Sequence, residues 1–499
     1  QTTFNIQQLL TWNHAYGDNH IDALIGHEYY ERDDYEMSGS KTGQYRPKNR
    51  ELSGAINSPS TSSLHDAYRV EGFLGRLQYD WAERYFLTAS FRRDGSSNFA
   101  EKHRWGNFGS VGVSWLLSNE PFMESTRSFL DLLKVKASYG IQGNDNLPVG
   151  YTFPYLDLFR LTNNYNRYAS SFYRKGNPDL TWETSHNINV GVEFAFFKHR
   201  LTGSIDLYQR KVTDMLFQVT VPLSSGYSSY WDNIGAMSNR GIDFELRGIP
   251  YRDRNIVWSI YVNGGVVKNR LDKLPDEWKR DKYGYISGYN VYKEGGTLYD
   301  LFMPKYKGVD DKGHSLWQTE GGGVTNEHSQ MSDNKNLVEF KDLSPVMRGG
   351  FGTNLDFFGF DFNASFSYGL GGRGIDGTYQ QLMHAGSDNG RAWHKDILKS
   401  WTESKKSDIP KVDFSDEYAN MTSDRFLVSR TYLSIDNLTL GYTFKKEWMD
   451  RIGIGSLRIY AVADNVWLFS ARKGYDPRFG GGVGYKVIRS ISGGLNLTF

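Results

Sequence analysis

The sequence predicts an all-β fold, a transmembrane antiparallel β-barrel, on three observations. Side chains alternate with a period of two, connections alternate between short and long, and the composition suits strands and turns. Aromatic residues make up 15% of the 499 residues, with 53 glycines against 13 prolines. That mixture fits strands, interfacial rings and tight bends better than helices. No stretch approaches the ~18 uninterrupted apolar residues of a membrane-spanning helix. A mean hydropathy of −0.57 argues only against helical membrane proteins, because a barrel wall alternates lipid-facing and lumen-facing side chains.

The alternation runs along the whole chain. In one segment Ile188, Val190, Val192, Phe194 and Phe196 alternate with Asn187, Asn189, Gly191 and Glu193. In another Leu201, Gly203, Ile205 and Leu207 oppose Thr202, Ser204, Asp206 and Tyr208, and Phe360 to Tyr368 repeats the pattern. The last segment sets Ile491, Gly493, Leu495, Leu497 and Phe499 against Ser490, Ser492, Gly494, Asn496 and Thr498. About fifteen such segments are expected, many near the ~10 residues that a tilted membrane strand needs. Any antiparallel sheet with one wet face alternates in this way, so the connections must discriminate.

Odd-to-even links are short: Asn13 to Asn19, Asp80 to Glu83, Phe197 to Arg200, Phe357 to Phe360. Even-to-odd links are long: Glu31 to Asp66, Ile141 to Thr181, Val267 to Val346, Gly369 to Arg425. Tight turns at one end and large loops at the other are the layout of an outer-membrane barrel, with periplasmic turns and extracellular loops. A sandwich spreads its loops over both ends, and a propeller would show a blade repeat of ~40–50 residues.

Lysine plus arginine (58) nearly cancels aspartate plus glutamate (57), which speaks against a nucleic-acid binder. There is no cysteine, so disulfides and thiolate metal sites are excluded. The chain opens Gln1-Thr2-Thr3 with neither methionine nor an apolar leader core, as expected of a chain whose signal peptide is gone.

Chemical motifs are weak, and the expectation is of no enzyme, no cofactor and no metal. Gly369-Leu370-Gly371-Gly372-Arg373-Gly374 matches a dinucleotide fingerprint only formally, because it follows an antiparallel strand outside any βαβ unit. Asp310-Asp311-Lys312-Gly313-His314 has turn composition without EF-hand spacing. The 11 histidines show no zinc-ligand spacing. A carboxylate pair that meets only in space is not readable from sequence.

The long links hold aromatic clusters: Tyr227, Tyr230 and Trp231; Tyr283, Tyr285, Tyr289 and Trp317; Tyr379, Trp393 and Trp401. Flat rings with polar edges suit sugar faces. Tyr230, Trp231, Tyr285, Trp317, Tyr379 and Trp393 are therefore the candidate cargo contacts, against the alternative that the rings pack the loops themselves or form the interfacial girdle. Asp94, Asn177 and Pro178 read as turn formers. The terminal Gly494, Leu497 and Phe499 resemble an outer-membrane assembly signal.

Several segments in shared order resemble the SusC/RagA family of TonB-linked outer-membrane proteins from Bacteroidetes. They include the run from Arg84 through Asp94 to Ser97, Leu133 to Gly140, Gly176-Asn177-Pro178-Asp179-Leu180-Thr181-Trp182-Glu183, Tyr306 to Asp310, Asn437 to Thr443, Gly474-Tyr475-Asp476-Pro477, and Gly494 to Phe499. The resemblance covers residues 1–499 but only the later part of the family's architecture. No TonB box, plug domain or first barrel strands are seen, and about fifteen strands fall short of the ~22 of a plugged transporter. The chain is therefore expected to be a C-terminal part of the barrel. The resemblance further implies a bacterial outer-membrane location, a SusD-like surface lipoprotein as lid, and energy from the TonB complex acting through the missing N-terminal part. The implied cargo is an oligosaccharide, with an oligopeptide importer of the RagA type as the alternative. A surface β-rich glycan-binding or hydrolytic protein is a further reading.

Overall fold

The computed structural model describes all residues except 47, 149–152, 166, 280, 342, 389 and 480–486. Fifteen strands form one sheet, ordered as in the sequence: β1 (Thr2–Tyr16), β2 (Asn19–Gln44), β3 (Ala55–Trp81), β4 (Tyr85–Ser96), β5 (Trp105–Leu116), β6 (Leu130–Asn144), β7 (Glu183–Phe196), β8 (Leu201–Thr213), β9 (Ala236–Arg252), β10 (Ile256–Lys273), β11 (Met347–Phe357), β12 (Phe360–Leu370), β13 (Tyr432–Thr443), β14 (Ser456–Ser470) and β15 (Ser490–Thr498). Neighbours are antiparallel wherever their register is defined, as in Tyr16↔Asn19, Trp81↔Tyr85 and Phe357↔Phe360 at the short turns. The chain divides into two compact units. One comprises Gln1–Pro121, Lys134–Val190 and Gln209–Met237; the other comprises Phe122–Leu133, Gly191–Tyr208 and Ser238–Phe499.

The wall has the polarity of a membrane barrel. Ile188, Val190, Ile205, Leu207, Ile260, Leu440 and Ile459 are exposed apolar residues within strands, an arrangement that only a hydrocarbon surround tolerates on this scale. The opposite face carries polar pairs such as Ser90–Ser110 at 2.7 Å and the bidentate Arg458–Asp361 bridge at 2.9 and 2.5 Å. Aromatic rings collect at the short-turn end. In the first unit Tyr85 stacks between Trp81 (5.4 Å) and Trp115 (5.9 Å). In the second, Phe357, Phe360, Tyr442 and Phe444 run in sequence at 5.2, 4.5 and 5.0 Å. Such a row marks a membrane–water interface, where a ring keeps an apolar body beside a polar edge.

Local chemistry makes the short turns. Gly17 (φ 54) and Gly359 (φ 91) supply the left-handed backbone of two-residue hairpins. Phe197, Lys198 and His199 hold three consecutive positive φ values of 59, 59 and 58° without any glycine. That costs about 1–2 kcal/mol per residue. The neighbouring turn offsets it: Phe197 N donates to Phe129 O at 2.8 Å, and His199 N donates to the Asp131 carboxylate at 2.9 Å.

One expected boundary is corrected. The link from Glu31 to Asp66 is not a loop: β2 and β3 stay paired from Glu31↔Arg69 through Asp34↔Asp66 to Gln44↔Ala55. Residues 35–44 of β2 are all exposed. With both faces wet there is no need for apolar alternation, so periodicity carries no strand signal there.

Candidate functional site: the loop-bearing end and the inner wall

In the first unit, residues 176–183 knit the loop between β6 and β7 to the segment between β8 and β9. Gly176 is required by close approach, because a Cβ there would lie 2.4 Å from the Leu156 carbonyl carbon. Asn177 closes an Asx turn by accepting from Asp179 N at 3.1 Å. Its amide donates to Trp231 O at 3.0 Å and to the Asp232 carboxylate at 2.9 Å. Leu180 and Trp182 bury against Phe99, and Trp231 packs on that cluster. The Trp182 indole donates to Arg104 O at 2.9 Å.

Asn233 completes this clasp by imitating a strand rung. Its side-chain oxygen accepts from Thr181 N at 2.7 Å, and its nitrogen donates to Thr181 O and Asp214 O, both at 2.8 Å. Glu183 adds two more ties, accepting from Leu216 N at 3.1 Å and from the Asn144 amide at 3.0 Å. Sequence reading recognised the turn character of Asn177 but had no signal for Asn233, whose partners lie far along the chain. Tyr230 and Trp231 both lie on the short hairpin of Leu216–Thr220 with Ser229–Asn233.

In the second unit the two longest loops fold into structured modules that lock together. Residues 274–346 form a four-stranded sheet (Tyr285–Ser287, Asn290–Tyr292, Leu301–Met303, Val338–Phe340) and a three-stranded sheet (Tyr306–Val309, Ser315–Gln318, Val324–Thr325). Residues 371–431 pack on them. Tyr306 N donates to Asp424 at 2.7 Å, and its hydroxyl donates to Asp408 O at 2.7 Å. Lys411 N donates to Gly313 O at 3.0 Å. Trp317 is 1% exposed with its ring edge-on to Tyr306 at 5.4 Å. The Arg425 guanidinium lies 5.3 Å over Tyr306 and donates to Ala419 O at 2.8 Å. Burial lifts the Tyr306 phenol to about 12 against the opposing pull of Arg425, and burial likewise depresses the arginine.

The other candidate rings divide by exposure. Tyr379 is buried in the helix Gly377–Leu382, capped by Asp376. Arg472 lies 3.4 Å over its ring, tying in the link between β14 and β15. Tyr285 stacks on Trp278 at 3.8 Å. Trp393 is 45% exposed, although its indole donates to His384 O at 2.9 Å. Of the six candidates, Trp393 presents the most open ring. Gly371 and Gly372 (φ 73 each) make a turn into the antiparallel pair Arg373–Ile375 with Leu427–Ser429, so the glycine cluster bends backbone. Asp310 closes the turn of residues 310–314 by accepting from Lys312 N and His314 N at 2.9 and 2.8 Å. Among the described residues no cluster of three or more His, Asp or Glu side chains is placed to hold a metal.

Among the described residues, the inner wall offers a polar cavity within each unit. In the first unit a cavity of about 860 Å³ is lined by Thr88, Ser90, Arg92, Ser110, Ser138 and Asn187 among others. In the second, a cavity of about 620 Å³ is lined by Asp206, Tyr208, Asp243, Glu245, Arg348 and Arg430 among others. The strands thus present charge and hydroxyls inward and hydrocarbon outward.

Comparison with known proteins agrees with this geometry. The family model described as "TonB dependent receptor-like, beta-barrel" matches residues 1–466. The chain belongs to the TonB-dependent receptor family. As a member of this outer-membrane β-barrel family it is 27% identical to TonB-dependent receptor P39 of Formosa agariphila, over 96% of this chain and 50% of that protein. It is 26% identical to TonB-dependent receptor SusC of Bacteroides thetaiotaomicron, over 97% and 49%. The structure of the RagAB peptide importer in its "closed-closed" state superposes with a TM-score of 0.86 at 25% identity, over the whole of this chain and 55% of that one. The chain thus spans about half the length of the curated relatives it matches.

The terminal strand of this TonB-dependent receptor pairs in register with β14, Leu497 against Leu457 and Gly494 against Tyr460. Gly494 leaves room for the Tyr460 ring, which a Cβ would meet at 2.5 Å. Leu497 is partly exposed, and Phe499 is 92% exposed beyond the last rung.

Proposed function

We propose that the protein is the C-terminal part of the barrel of a TonB-coupled importer that passes a hydrophilic oligomer inward and performs no catalysis. The observation that carries this reading is the inverted wall, apolar outside and lined inside by cavities of carboxylates, guanidinium groups and hydroxyls. Residues outside this chain would supply the plug, the TonB contact and the remaining strands. The half-length match to relatives and the fully exposed strand β1 support that division. A SusD-like lipoprotein would cover the loop-bearing end, as the resemblance implies.

Two cargo classes fit. The mixed charges of Asp206, Asp243, Glu245, Arg348 and Arg430 around one cavity favour an oligopeptide, whose termini and side chains carry both signs; the likeness to a peptide importer points the same way. An oligosaccharide is the second reading, favoured by the exposed rings of Trp393, Tyr289 and Tyr299. The test is uptake of labelled oligopeptides and oligosaccharides by cells expressing the full transporter, with and without TonB. TonB-dependent uptake of one class supports the reading. Equal uptake without TonB, or turnover of either class by purified protein, overturns it.

A further inference from the structure

The short-turn end of the second unit carries a feature that transport does not use. Between β13 and β14, residues 444–455 do not make a tight hairpin but fold into a helical turn, Lys446–Asp450. Its closure is well defined. Met449 N donates to Lys445 O, Ile454 N donates back to Met449 O at 3.1 Å, and Gly453 takes the left-handed position (φ 72) that such a helix end requires. Met449 is buried and fixes the turn to the sheet. Trp448 and Ile452, in contrast, are 47% and 61% exposed.

At about 100° per residue, Trp448, Ile452 and Met449 fall on one side of the turn, Met449 at its buried edge and the other two exposed. Lys446 and Arg451 flank that side, and Glu447 and Asp450 fall on the opposite one. The Lys445 ammonium lies 5.7 Å over the Trp448 ring. The turn continues the aromatic row Phe357–Phe360–Tyr442–Phe444, which ends at its first residue. That row faces lipid, so an apolar side with basic flanks, continuous with it, meets the headgroup layer next.

We propose that residues 445–452 form an interfacial foot on the periplasmic leaflet. Trp448 and Ile452 enter the lipid boundary, while Lys446 and Arg451 take the phosphates of anionic phospholipids. The chemistry is that of an interfacial amphipathic segment, in which apolar burial and attraction to anionic headgroups add. Its role would be to fix the depth and tilt of the wall between β13 and β14.

This chain has no cysteine, so with any cysteine in the rest of the full transporter replaced by serine, Ile452→Cys and Asp450→Cys each give a single site for a spin label, on opposite sides of one turn. The full transporter is reconstituted in nanodiscs of phosphatidylethanolamine with or without about a quarter phosphatidylglycerol, and collision with oxygen and with a water-soluble nickel chelate is compared. The label at 452 is expected to favour oxygen several-fold more than the label at 450. Anionic lipid should deepen the 452 label, and K446Q/R451Q should abolish that deepening, since each cation near an anionic surface contributes about fivefold in affinity. Equal accessibility at 450 and 452 overturns the foot. Deepening that survives K446Q/R451Q overturns the headgroup contact. Neither readout depends on cargo, so both are separable from the transport proposal.

Discussion

Asn233→Ala should open the clasp of residues 176–183 without unfolding the sheet. The substitution removes three hydrogen bonds, one accepted from Thr181 N and two donated to Thr181 O and Asp214 O. At a net ~1 kcal/mol each, reduced somewhat because the site is only half-buried, the local loss is about 2–3 kcal/mol. Since 1.4 kcal/mol is a factor of ten, amide exchange at Thr181 should accelerate roughly 30- to 150-fold. Asn233→Asp should be worse than alanine, because a carboxylate oxygen would then face two carbonyls at the 2.8 Å now spanned by donors. The assay is hydrogen exchange read by mass spectrometry on peptides covering 176–183, with β4 and β5 as internal references. Unchanged exchange at Thr181 in Asn233→Ala would refute the rung-like role of this side chain. Acceleration throughout β4 and β5 would show instead that the clasp holds the sheet.

Four further outcomes are expected. Deleting Phe499, which protrudes beyond the last rung, should lower the amount of assembled protein in the outer membrane while leaving uptake per assembled molecule unchanged; normal assembly levels would count against the assembly reading. Residues 1–499 expressed alone with a signal peptide should give no heat-modifiable membrane species, because open strand edges in lipid leave backbone groups unpaired; a stable monodisperse barrel would sink this. Burial alone would raise the Asp310 carboxyl, but hydrogen bonds from the His314 amide and ring, the Lys312 amide and Asn326 outweigh it and hold it at about 2. Its folded value is depressed, so its stabilisation is complete above the unfolded value of about 4 and is lost as pH falls from there to about 2; His314 amide protection, corrected for intrinsic exchange, that fails already at pH 5 would contradict this. Trp393→Ala should weaken cargo binding by ~1 kcal/mol or more if its open ring stacks on cargo, with assembly intact; unchanged affinity by calorimetry would place recognition elsewhere.

How much of this was legible in the sequence depended on the range of the interaction that decided it. Period-two alternation reports which face meets lipid, a local property, so Ile188, Ile205 and Leu207 were readable, about fifteen strands were expected, and fifteen form the sheet. The hairpin beyond Glu31 was not readable, because with water on both faces its ladder imposes no pattern. The surroundings of the loop rings were not readable for a different reason. Whether an aromatic side chain faces solvent or its own loop is set by partners far away: Tyr306 is covered by Arg425, and Tyr379 by Arg472. Trp317 and Trp393 look alike in sequence, yet one is enclosed and the other open. The clasp was half legible, since Asn177 has turn chemistry of its own while Asn233 acts only through Thr181 and Asp214.

The wet part of the β2–β3 hairpin has a consequence of its own. In a lipid-facing strand, slipping the register by one residue would turn every apolar side chain into the lumen, so length and phase are fixed together. From Tyr35 to Gln44 and back from Ile56 to His65 no such inversion is at stake, because either face meets water. Already at Ser40/Thr42 the pairing shifts by a bulge without disturbing the ladder below it. The hairpin can therefore lengthen or shorten at its tip by whole rungs while the membrane wall keeps its phase. An epitope or a sensor peptide grafted into this hairpin is therefore expected to have little effect on assembly.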